Sequence, residues 1–156
     1  MEGNVTKTAA VEHVTLQILE DALPHFTGTI MQVPPIFSAI RKGGKKLYQS
    51  AREGKTTDDI VIDAREVEIY RLELFNPDES KLPKFEIDIE CGGGTYIRSL
   101  IRDIGYKVDS VATTTLLERT QQAQFFLQDA LPKDEWNADS IYAAIDRVRE
   151  KQEAEL

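Results

Sequence analysis

A chain of 156 residues with 41% hydrophobic content is long enough to bury one sizeable core, and its 29% charged residues leave no apolar run able to cross a bilayer. Its one cysteine, Cys91, excludes an internal disulfide, and Cys91 with His13 and His25 makes no metal-ligand set. A formal net charge of -8 argues against nonspecific coating of nucleic acid, because phosphate contacts supply most of that affinity.

Taken in order, residues 1–13 show little periodicity and no signal-peptide pattern. From Thr15 the spacing of Leu16, Leu19, Leu23 and Phe26 predicts a helix ended by Gly28. Thr29 to Gln32 reads as extended, and Pro34-Pro35 makes a stiff approach to Phe37. Lys42-Gly43-Gly44-Lys45 predicts a turn, with a short helix over Lys45 to Glu53 closed by Gly54. Ile60 to Ile62 and Arg65 to Phe75 predict strands, with Val67, Ile69, Leu72 and Leu74 inward and a bulge near Tyr70. Asn76 to Lys84 is a loop. Phe85, Ile87 and Ile89 alternate with Glu86, Asp88 and Glu90, the clearest half-buried strand in the chain.

That strand runs into Cys91 to Leu100, C-G-G-G-T-Y-I-R-S-L, where glycines end the strand and Thr95 is the expected N-cap of the next helix. Ile97, Leu100, Ile101 and Ile104 give that helix its buried face. Val111 to Leu117 and Gln124 to Leu127 read as strands, and Asn137 caps a last helix through Val148. The expectation is an α+β fold, a mixed, largely antiparallel sheet flanked by helices, over residues 1–149, with residues 150–156 a charged tail.

Charge is unevenly spread. Residues 31–55 hold Arg41, Lys42, Lys45, Lys46, Arg52 and Lys55 against Glu53 alone. Such a patch on an acidic body fits RNA bound at one face, a solvated lysine-rich turn, or an acidic protein partner.

Q-V-P-P-I-F-S-A-I over Gln32 to Ile40, then R-K-G-G-K-K-L-Y-Q-S-A-R-E-G, then G-T-Y-I-R at Gly94 to Arg98 together resemble the TruB and Pus4 family of tRNA pseudouridine synthases. The resemblance runs from about Gly3 to about Ala144, and after Thr120 it is nearer the eukaryotic Pus4-like branch. It implies the downstream part of the synthase catalytic-domain fold and isomerisation of the T-loop uridine of tRNA (position 55), with no cofactor and no metal. It also implies tRNA, through its T-stem-loop, as partner, in an intracellular setting that the sequence does not narrow to cytoplasm, nucleus or mitochondrion. The family's nucleophilic aspartate stands in a G-T-L-D-P-type segment upstream of everything present here. The resemblance therefore implies a chain missing its first portion and inactive alone, with an unpaired sheet edge through which a homo-oligomer could form.

Residue by residue, the resemblance makes Tyr96 the acceptor of the uracil C5 proton and Arg98 the partner of the nucleophilic aspartate. Phe37 falls where the family often has a tyrosine stacking on the target base, and Leu117 where an apolar residue lines the pocket. Arg41, Lys42, Lys45, Lys46 and Arg52 become RNA contacts. By residue type alone, Tyr96, Phe37 and Leu117 fit core positions equally well. Arg98, deprived of its carboxylate, is expected to be rehoused, solvated or paired with another acid, since a broken buried ion pair costs about 3–5 kcal/mol. Asp63 and Asp103 are the acids to consider as replacement nucleophiles. A non-catalytic RNA-binding module and an α+β protein-interaction scaffold are the alternative functions.

Overall fold

Thr15 opens the first helix by accepting the Ile18 N–H on its hydroxyl at 3.2 Å. That helix, α1 (Leu16–Ala22), tightens into a 3-10 turn at Leu23–Phe26, and Gly28, at φ +87°, starts strand β1 (Gly28–Gln32). The computed structural model describes residues 5–56 and 59–154. The chain divides into two compact units, Met1–Thr115 and Leu116–Leu156.

In the first unit, β1 is followed by a hairpin of β2 (Arg41–Lys42) and β3 (Lys45–Lys46) and by helix α2 (Leu47–Arg52). Gly43 and Gly44 both adopt positive φ, as a tight two-residue hairpin requires. The long strand β4 (Arg65–Phe75) is central, pairing antiparallel with β1 on one side and β5 (Glu86–Cys91) on the other. Its inward residues change phase, odd at Val67 and Ile69, even at Leu72 and Leu74. The register against β5 shifts between Ile69 and Arg71, so Tyr70 is the extra residue that keeps both pairs on the core face.

Helix α3 (Ile97–Lys107) lays Leu100, Ile101 and Ile104, with Val108 just beyond its end, into a core with Leu19, Leu23, Ile69 and Leu72. It ends in a Schellman turn. Asp109, at φ +54°, donates its N–H to Tyr106 O at 3.1 Å, and Ser110 N–H reaches Gly105 O at 2.9 Å. The lead-in to α1 is fastened to this end: Ser110 Oγ donates to Ala10 O (2.7 Å), and His13 Nε2 lies 2.9 Å from Val108 O.

The second unit holds a hairpin of β6 (Gln121–Gln122) and β7 (Phe125–Phe126) and helix α4 (Ala138–Ala154). Asn137 caps α4, its Oδ1 accepting Ser140 N–H at 2.9 Å.

The α+β class and the antiparallel sheet stand as expected. Several local expectations do not. Ile60 to Ile62 and Val111 to Leu117 form no strand; Ala112 instead packs its backbone onto Gly105, and Val61 O accepts the Lys42 ammonium. Lys45 and Lys46 belong to the hairpin, so α2 begins only at Leu47. The strand expected over Gln124 to Leu127 is confined to Phe125–Phe126, and α4 continues past Val148 to Ala154, through most of the expected tail.

Candidate functional site

The glycine-rich junction delivers Tyr96 to the N-cap position of α3, but Thr95 does not cap the helix. Thr95 Oγ1 donates to Gly92 O at 3.0 Å and closes the turn, while the Tyr96 N–H is taken by Oε1 of Gln32 at 2.8 Å. Gln32 ends β1 and is 1% exposed, so a sheet residue 64 positions upstream fixes the backbone of the tyrosine. Its Nε2 is buried without a hydrogen-bond partner among the described residues. Gly92 approaches the neighbouring strand closely: its N–H bonds Glu68 O at 2.8 Å, and an added Cβ would lie 3.3 Å from Tyr70 Oη. The neighbouring Glu68 carboxylate pushes the Tyr70 phenol up, with burial adding to it.

Three side chains of α3 grip the segment that follows β1. Pro34 and Pro35 have no N–H to give, so this stretch cannot fold onto itself through those positions. Val33 O accepts from Ser99 Oγ at 2.9 Å and from Arg102 Nη2 at 3.3 Å, and Phe37 O accepts from Arg98 Nη2 at 3.1 Å. Arg98 is thus rehoused on a carbonyl and left exposed; among the described residues no acid pairs with it. Phe37 is 56% exposed, which excludes it as a core filler. Tyr96 is half-buried, and its hydroxyl has no partner among the described residues.

The replacement acids are otherwise engaged. Asp103 pairs with Arg102 Nε at 2.8 Å, and Asp63 with Lys42 at 3.1 Å. Within the basic window, Lys45 bonds Glu53 at 3.1 Å, while Lys46 and Arg52 both approach the ring of the half-buried Tyr48. Arg41 has no acidic partner among the described residues. Leu117 lies in the second unit and is 58% exposed. Gln32, Ser99, Arg102 and Tyr48 were not singled out by their residue type; the signal for Gln32 is a polar side chain at an inward register position of β1.

Residues 1–97 match the family described as TruB family pseudouridylate synthase (N terminal domain). The chain belongs to the TruB family. It is 41% identical over 148 residues to mouse pseudouridylate synthase TRUB1, an alignment that takes in 93% of this chain and 42% of the relative. The human TRUB1 is 40% identical, over 99% of this chain and 43% of the relative. The tRNA pseudouridine synthase B of Sinorhizobium medicae is 45% identical over 132 residues, 85% of this chain and 40% of the relative. The chain spans about two fifths of the length of these TruB relatives. Among its described residues no helix is long and apolar enough to cross a membrane.

Proposed function

We propose that these residues are the base-holding and RNA-facing part of a tRNA pseudouridine synthase acting on the T-loop uridine, in an intracellular setting. The observation that carries this is the Arg98 to Phe37 hydrogen bond beside the Gln32-held Tyr96. It ties an exposed aromatic residue, a permanent cation and a phenol without a partner among the described residues to one helix start. The names of the TruB relatives supply the reaction class.

In this reaction a uridine taken out of its stack loses its N1–C1′ bond to a carboxylate nucleophile, turns, and is rejoined through C5. The detached uracil rests on Phe37. Tyr96 takes the C5 proton, and Arg98, releasing Phe37 O or sharing its second nitrogen, pairs with the nucleophilic aspartate. That aspartate belongs to a G-T-L-D-P-type segment, which is not among these 156 residues. The proton lost from C5 is matched by one gained at N1, so the isomerisation balances without an oxidant, a reductant or a second substrate. The basic hairpin and α2 meet the T-stem. The outer edges of the sheet, along β1 and β5, offer a second copy a place to pair, and a monomeric mass at high concentration would remove that part of the proposal.

Tritium release from T-arm RNA labelled at uracil C5 tests the reading, with this chain alone and with the aspartate-bearing segment of a relative fused ahead of it. Release by the fusion only is the expected result. Release by the short chain would return Asp63 and Asp103 to consideration, and RNA binding with no release by either would leave a non-catalytic binding module.

A further inference from the structure

Pairing in the β2–β3 hairpin sets cation opposite cation in both rungs, Arg41 against Lys46 and Lys42 against Lys45. Like charges directly opposite one another destabilise a ladder, so this hairpin calls for anions close by. Successive strand residues point to opposite faces, and the two rungs therefore face opposite ways.

One face brings its own anions. Lys42 bonds Asp63 and Lys45 bonds Glu53, each at 3.1 Å. On the other face neither Arg41 nor Lys46 pairs with an acid among the described residues. Tyr48 stands there instead, its ring centroid 5.6 Å from Lys46 Nζ and 5.4 Å from the Arg52 guanidinium carbon. The ring attracts both cations and neutralises neither.

We propose that the Arg41–Lys46 rung, with Arg52 beside the same Tyr48 ring, is a clamp for one backbone phosphate of RNA, in which Lys42 and Lys45 take no part. The inference rests on the synthase reading for its choice of RNA and deepens it by assigning the contact. Side chains on directly opposed residues leave the ladder about 5 Å apart, a spacing at which two cations converge on one compact anion. Phosphate presents oxygens to both, and the arginine fork takes two of them. The net charge of -8 on the chain as a whole works against a long polyanionic footprint and favours such a local contact.

The test compares salt dependence of binding, with the whole chain, for wild type and two double variants of equal charge change, R41Q/K46Q and K42Q/K45Q. Circular dichroism and melting midpoints establish that both remain folded. With a T-arm RNA hairpin as probe, R41Q/K46Q is expected to flatten the plot of log affinity against log salt by about 0.7–0.9, one phosphate's worth. Going from 50 to 200 mM salt then costs it about threefold less affinity than it costs wild type. K42Q/K45Q is expected to keep the wild-type slope. Equal slopes in the two variants, with T-arm binding intact, would overturn the clamp and leave the synthase reading standing. A clamp-dependent slope on polyuridylate with no preference for the T-arm would keep the clamp and remove the tRNA reading. Arg41- and Lys46-dependent binding to polyglutamate but to neither RNA would overturn the assignment to RNA in favour of an acidic protein, and no binding to any of the three probes would overturn both.

Discussion

Replacing Gly105 by alanine puts one methyl group where the structure has no room. Its Cβ would stand 2.4 Å from Ala112 N and 2.9 Å from both Ala112 Cβ and Val111 C. Two of these atoms are backbone, so no side-chain rotation relieves the contact, and the connection after α3 must shift. Overpacking of this kind costs about 1–3 kcal/mol. Alanine returns about 1 kcal/mol through its better helix propensity. Because the obstruction is main chain, the upper part of the range applies, and the net loss is about 1–2 kcal/mol. Urea unfolding followed by circular dichroism reads it as a lower midpoint at unchanged slope. Adding Ala112→Gly removes the 2.9 Å Cβ contact but not the one at the amide nitrogen, so it should recover only part of the loss. A Gly105→Ala midpoint at or above wild type would refute the packing argument, and full rescue by Ala112→Gly would refute its attribution to the main chain.

Asp109 holds the left-handed position of the Schellman turn at φ +54°, so Asp109→Gly should raise stability by about 0.5–1 kcal/mol, read from the same unfolding curves. Leu100 is fully buried at the centre of the core, and Leu100→Ala should cost about 2–5 kcal/mol by denaturant titration. Gln32→Leu removes both the acceptor of the Tyr96 N–H and a buried amide nitrogen without a partner among the described residues, so global stability should move little while hydrogen exchange at the Tyr96 amide quickens; unchanged exchange would mean that the bond does not hold the tyrosine. The Ser80 hydroxyl and N–H hold the Asp78 carboxyl below the usual carboxylate range. With the folded value depressed, the contribution of this turn is full above the unfolded aspartate pKa and is lost as pH falls through the folded one. Asp78→Asn should remove that acid-side dependence, as followed by the Ser80 amide shift in an NMR titration.

The elements legible in the sequence are those whose signal is local. The alternation over Phe85 to Glu90 became β5, the spacing of Ile97, Leu100, Ile101 and Ile104 became the buried face of α3, and the phase change at Tyr70 became a real bulge. Val111 to Leu117 has the residue types of a strand, but strand propensity expresses itself only against a partner, and Ala112 is committed to Gly105 instead. In the site, the glycine junction and the cluster of cations were visible by composition and motif. Thr95 looked like the cap because it is adjacent, whereas the group that binds the Tyr96 N–H comes from another strand of the sheet. The neutralised and unneutralised faces of the hairpin differ through Asp63 and Glu53, and no count of charges along the chain separates them.

The bond from Gln32 to Tyr96 also bears on the order in which the molecule assembles. β4 meets β5 across a short loop, whereas β1 meets β4 only after the whole stretch from Val33 to Ala64 has been closed, and the entropy of closure grows with loop length. The helix start that carries Tyr96 and Arg98 is tied down by the far end of β1, at the last register position of that pairing. The β4–β5 ribbon and α3 can therefore form first. On this ordering the start of α3 is expected to gain its bond to Gln32 late in folding, so that conservative substitutions at Gln32 give φ-values near zero; values near one would refute the order.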